Sequence, residues 1–217
     1  MSASASTRQR LITAAEALFA AHGIHAVSLR ELTRASGARN ATALQYHFGD
    51  RDGLVRALLD KHAAETDARR HALLDAYETG GDAELRALAA ALVLPLAAKL
   101  EDADGRNYLR ILAELISRPD VRVHVEDYDE EHNSLLRWRT LLEPLLDPDA
   151  IRFHRRFVAL RFAILELARR AGSDGPADNR LFASHLIDLV TALLSAPLSP
   201  QSRRIAAGRT PGAGGSA

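Results

Sequence analysis

The chain has 217 residues, 47% of them hydrophobic, with 28 basic and 28 acidic side chains and a formal net charge of zero. The apolar share is ample for a buried core, but no overall positive field announces a nucleic-acid partner, so any such surface must be local. The absence of cysteine excludes disulfides, thiolate metal sites and cysteine nucleophiles. No apolar run reaches membrane-spanning length, and residues 1–6 lack the apolar stretch of a signal peptide, the pattern expected of a soluble cytoplasmic protein without membrane contact.

Helical spacing recurs along the chain, and no stretch alternates convincingly as a strand does. Ser6 with Gln9, and Ser28 with Glu31, form capping-box patterns. After the first come Leu11, Ile12, Ala15, Leu18 and Phe19 at helical spacing until Gly23; after the second, Leu29 and Leu32 give an inner face until Gly37. A short polar helix is expected over 40–47, anchored by Leu44 and Phe48, four apart. Such a helix has about two turns and needs support from behind. Three short helices with a tight turn between the second and third make a helix-turn-helix. Asp50 is a suitable N-cap for a fourth helix over 51–78, apolar at Leu54, Val55, Leu58 and Leu59 and polar later.

Further along, Leu85, Leu88, Leu92, Leu96 and Leu100 form one stripe of a fifth helix over 83–100, with Pro95 expected to kink it. A sixth helix carries Tyr108, Ile111, Leu112, Leu115 and Ile116 and stops at Pro119. A seventh is expected over 120–146, an eighth over 150–171 after Asp147-Pro148-Asp149, and a ninth over 178–196. From Pro197 the composition turns to Pro, Gly and Ser and reads as disordered. The expected architecture is therefore all-α with about nine helices: a helix-turn-helix domain over 1–50, a larger helical domain over 51–197, and a tail over 198–217.

The string Ala-Leu-Gln-Tyr-His-Phe-Gly-Asp-Arg-Asp-Gly-Leu, residues 43–54, resembles the end of the recognition helix and the start of the fourth helix in the TetR family of transcriptional regulators. Upstream, Ala14, Ala15, Leu18, Phe19, Gly23, the run Ser28 to Leu32 and Gly37 match as well, so the likeness covers about residues 8–60. It implies a ligand-responsive regulator, a repressor more often than an activator, that binds a palindromic double-stranded DNA operator as a homodimer and is released by a small-molecule effector. No cofactor is implied and no enzymatic activity. Ser28, Arg39, Asn40, Thr42, Gln45, Tyr46, His47 and Arg51 would face DNA. Arginine and glutamine pair bidentately with guanine and adenine edges, and Thr42 suits a thymine methyl. The resemblance places Tyr46 and His47 near the sugar-phosphate backbone, as clamps. Gln45 stands where the family usually has an aromatic residue, and Arg51 where it usually has lysine. Arg8 and Arg10 are also able to reach across a groove.

In the larger domain, Leu92, Leu96, Tyr108, Leu112, Leu115, Trp138, Leu142 and Phe162 are candidates to line an apolar effector chamber, with Tyr108 and Trp138 as polar handles, and ordinary core packing is the alternative for each. The last two long helices are apolar on more than one side, which calls for burial on both. A four-helix dimer seam through Phe157, Ile164, Phe182, Leu186, Leu189 and Leu193 answers that need, and the centre of a monomeric bundle is the alternative. Two further readings stay open: a helical interaction protein that has lost DNA binding, and a metal-dependent enzyme built on His124 and His132, which share a helical face with Tyr128. No Gly-rich phosphate loop, nucleophile elbow or H-E-x-x-H run accompanies the latter.

Overall fold

A computed structural model describes residues 6–38, 42–81, 84–117, 133–173 and 178–207. Among these, eleven α-helices occur and no strand. The head consists of α1 (Thr7–His22), α2 (Leu29–Ala35) and α3 (Thr42–Phe48). The body consists of α4 (Arg51–Gly80), α5 (Leu85–Ala97), α6 (Ala103–Ser117), α7 (Ser134–Leu142), α8 (Pro148–Arg152), α9 (Arg155–Ala171) and α10 (Asn179–Ser195), followed by α11 (Pro200–Ala207). No single described helix is long and apolar enough to cross a membrane.

The helix starts follow the local chemistry. Ser6 accepts the Gln9 N–H to open α1, and Ser28 with Glu31 closes a complete capping box on α2. Asp50 accepts the Gly53 N–H at 2.7 Å to open α4. Phe19, Ile24, Leu32, Leu44, Leu54 and Leu58 then close the head's core, so the first turns of α4 belong to the head as much as to the body. Each such aliphatic or aromatic side chain contributes about 1.5–3 kcal/mol when fully buried.

Several expectations change. The helix foreseen over 83–100 is regular over Leu85–Ala97 and ends in a single 3₁₀ turn, Ala98–Leu100. Its leucines are not confined to one stripe of contact, because α5 packs on α4, α7, α9 and α10 and buries Ala89, Ala91 and Val93 too. Packed on four neighbours, the helix exposes only Arg86 and Leu94 and needs no broad polar face. The described part of the helix foreseen over 120–146 starts at Ser134, capped by Asn133, and ends in a 3₁₀ turn at Glu143–Leu145. The eighth helix is broken in two: His154 adopts a left-handed backbone (φ 53°) between α8 and α9. Histidine is one of the few non-glycine residues that visit this region with any frequency. The tail expected to be disordered from residue 198 carries α11, and residues 208–217 lie outside the described ones.

Pro95 creates one specific requirement. Lacking an N–H, it cannot donate to the carbonyl of Ala91 four residues before it. The guanidinium of Arg70 on α4 supplies the missing donor, with Nε 3.2 Å from Ala91 O, while Nη1 donates to Ser134 Oγ at 2.6 Å. Burial pushes this guanidinium below its ordinary value, and the neighbouring Asp67 and Tyr108 act in the opposite direction. A second side-chain-to-backbone bond, from Trp138 Nε1 to Leu88 O at 2.8 Å, ties α7 to α5 in the same region.

Arg70→Met should cost about 2–4 kcal/mol, because a buried acceptor loses its donor. In a Pro95→Ala background the helix regains its own N–H, and the cost of Arg70→Met should shrink by about 1–2 kcal/mol. Urea denaturation of the four proteins measures the cycle; equal costs in both backgrounds would show that the Ala91 carbonyl does not matter.

Candidate nucleic-acid interface

The sequence of α3 divides its surface cleanly. Leu44 is buried beneath it and Phe48 is half-buried against the same core, while Thr42, Gln45 and Tyr46 face solvent. These three lie at i, i+3 and i+4, a single helical face. Tyr46 is 85% exposed, an unusual position for an aromatic ring unless something stacks on it or grips its hydroxyl. His47, half-buried, meets the Tyr46 ring edge-on with centroids 5.1 Å apart.

What fixes the attitude of α3 is the junction with α4. Gly49 takes a positive φ of 76° and donates to Gln45 O at 2.9 Å, ending α3. Four residues on, a Cβ built at Gly53 would stand 2.0 Å from the carbonyl oxygen of Phe48. Only hydrogen fits there, so the two helices meet backbone to backbone. Around this junction the basic side chains act as brackets. The Arg8 guanidinium lies over the Phe48 ring, 5.4 Å from its centroid. Arg10 Nε donates to Ser36 O at 3.2 Å, and the Arg51 guanidinium donates to Ile24 O.

The predicted DNA-facing set is therefore sorted by the structure. Thr42, Gln45 and Tyr46 are together on one exposed face, with His47 beside them; Arg39 and Asn40 lie outside the described residues. Arg51 is half-buried, and its guanidinium donates to the Ile24 carbonyl, which holds the loop before α2. Ser28 is also occupied: its N–H and hydroxyl both donate to Glu31 Oε2 at 2.7 Å. These two bonds hold the Glu31 carboxyl below the usual carboxylate value. Arg30 and Arg34, both exposed and four apart on α2, were not singled out from the sequence, although their i, i+4 spacing puts them on one face.

In the body, the eight residues expected to line a chamber are core residues. Leu92, Leu96, Tyr108, Trp138 and Leu142 are buried, and Leu112, Leu115 and Phe162 are partly buried against them. The polar handles face internal partners: the Trp138 N–H is bonded to Leu88 O, and the Tyr108 ring stacks on His62 with centroids 4.4 Å apart. One open cleft, of about 370 Å³, is lined by Lys61, His62, Glu65, Lys99, Asp102, Ala103 and Asp104, and none of the eight predicted residues contributes to it. Another, on α9 and α10, includes Leu181 and Phe182.

The six residues expected at a seam differ in exposure. Phe157 is 47% exposed, Leu189 is exposed too, and Phe182 and Leu193 are half-buried. Ile164 (5%) and Leu186 point into the chain's own core, because α9 packs on α6 and α10 packs on α5. The free apolar surface instead includes Val158, Leu165 and Leu181, the last 69% exposed. The His124–His132 segment lies outside the described residues.

Residues 11–58 match the sequence model of the family described as bacterial regulatory proteins, tetR family. No curated protein matches the chain by sequence. Among solved structures it is similar to AmtR of Mycobacterium smegmatis, at 18% identity over 88% of each chain with a TM-score of 0.54. It also resembles NalD of Pseudomonas aeruginosa, the secondary repressor of the MexAB-OprM multidrug efflux pump, at 22% identity over 88% of this chain and 98% of that one, TM-score 0.48. At such identities the likeness to AmtR bears on the fold alone.

Gly53→Ala should drive the α3–α4 junction apart, costing about 1–3 kcal/mol by overpacking, whereas Gly80→Ala, with open space around it, should be tolerated. Thermal unfolding followed by circular dichroism compares the two.

Proposed function

We propose that this chain, whose head is a helix-turn-helix of the tetR family, is a DNA-binding transcriptional regulator that works as a homodimer in the cytoplasm. The observation that carries the reading is the exposed face of α3, where Thr42, Gln45 and Tyr46 stand out from a helix held rigidly by buried Leu44. A rigid polar helix on a small core suits the major groove. In this reading Gln45 reads a base edge, Thr42 touches a base or its methyl, and Tyr46 and His47 clamp the backbone, with Arg39 and Asn40 as further base or phosphate contacts. Arg30 and Arg34 on α2 add positive charge on the flank. The head spans residues 1–50 and the body residues 51–197.

Two copies meet through α9 and α10, whose exposed Phe157, Val158, Leu165, Leu181 and Leu189 form an apolar surface without a partner inside the protomer. A two-fold dimer places two recognition helices about 34–36 Å apart, one turn of DNA, and so favours a palindromic operator. A small-molecule effector of the body shifts DNA affinity only if it binds one arrangement of the heads better than the other. Release of a repressor is the favoured direction, by family analogy alone.

Selection from random double-stranded fragments should return inverted half-sites with centres about 34–36 Å apart. Gln45→Ala should weaken binding by about 1–3 kcal/mol and relax preference at one position per half-site. Phe157→Glu with Leu189→Glu should give a monomer by analytical ultracentrifugation with little operator affinity left. A wild-type chain that sediments as a monomer, or retrieves no specific fragment, would refute the reading.

A further inference from the structure

The head meets the body through carboxylates rather than through apolar packing alone. Glu16 on α1 is 1% exposed, and each of its oxygens has a partner from α4: Lys61 Nζ at 2.5 Å and His62 Nε2 at 2.5 Å. Both partners continue to α6. Lys61 Nζ also reaches Asp104 at 2.8 Å, in the first turn of α6, and the His62 ring stacks on Tyr108. Ten residues further along α6, Glu114 accepts the Ile24 N–H on both oxygens at 3.0 Å, at the chain segment just after α1. One buried carboxylate thus reports the positions of α4 and α6 to α1, and a second holds the far end of α1 to α6.

Such a cluster is a poor source of stability. Removing two charges from water costs several kcal/mol per ion, and well-packed apolar replacements are often as stable or more so. What it does offer is direction. Apolar contacts tolerate sliding, whereas hydrogen bonds are lost when their geometry drifts. We infer that Glu16, Lys61, His62 and Glu114 are positioning residues that fix the angle of the head on the body, and through it the half-site spacing that the dimer accepts. This rests on the DNA-binding reading for its consequence but not for its geometry. The tolerance is narrow, since a shift of about 3.4 Å along the duplex is a whole base pair.

The chain contains no cysteine, so two introduced thiols take spin labels cleanly. Exposed Arg34 on α2 and exposed Arg139 on α7 provide a head–body pair as Arg34→Cys with Arg139→Cys, diluted with unlabelled chain. Pulsed electron resonance should give a narrow distance distribution in this background. Glu16→Met with His62→Leu should leave the thermal midpoint unchanged or higher yet widen the distribution about twofold, and Glu114→Gln should widen it less. On the selected operator, the wild-type preference for one spacing over neighbours a base pair longer or shorter should be about tenfold and fall to about threefold in the apolar pair. An unchanged width in both variants overturns the inference. So does a lowered midpoint in the apolar pair, which would make the cluster ordinary structural support. Wild-type chain that binds no DNA would sink the regulator reading, while the distance widths still decide the role of the carboxylates.

Discussion

The seven residues of α3 form too few internal hydrogen bonds to persist alone in water. Everything presented on its outer face depends on what lies beneath it, and that is the burial of Leu44 with the backbone contact at Gly53. Leucine burial is worth about 1.5–3 kcal/mol, comparable to the whole cost of ordering so short a helix only when the junction is already fixed. The Asp50 cap, the left-handed Gly49 and the absent side chain at Gly53 provide that fixing. The brackets from Arg8, Arg10 and Arg51 add to it, and they explain why three cations beside a polar face are directed at the protein itself.

The body solves a different problem. Its central helix α5 contains a proline, and a buried carbonyl without its donor would cost about 1–3 kcal/mol. Arg70 meets that need from α4, and Asp67 and Ser134 complete its surroundings. The arrangement ties α4, α5 and α7 together at one point. It sits on the same face of α4 as His62 and Thr66, each four residues apart and each buried. The inner face of the long helix is therefore apolar at both ends, with Leu58 and Leu74, and polar in the middle. Burial of so much polarity in one stripe favours a definite register over slippage, because each group loses its partner if the helix slides.

Head and body are joined along that same helix. Glu16 meets α4 at Lys61 and His62, about two turns before Arg70. Although burial opposes its charge, Asp104 and Glu16 hold the Lys61 ammonium above its ordinary value. A displacement of α4 or of the start of α6 cannot leave Glu16 untouched, which makes the junction a place where body geometry and head geometry are coupled by short polar contacts rather than by a compliant apolar surface.

The helix starts were legible in the sequence, since capping acts across three or four residues: Ser6, Ser28 and Asp50 all sit where their side chains accept the expected N–H groups. So were the inward Leu44 and outward Gln45, because the period of a helix separates them, and the string from Ala43 to Leu54 carried the family likeness. The tertiary structure alone decided which apolar side chains of α9 and α10 remain free. Ile164 and Leu186 go inward because α6 and α5 arrive there from distant parts of the chain. It alone turned Arg51 onto Ile24, joined Arg70 to the carbonyl that Pro95 leaves behind, and set Glu16 against α4, 45 residues away. Local chemistry fixes where a helix begins and which residues share a face; which face is covered depends on partners that no local pattern records.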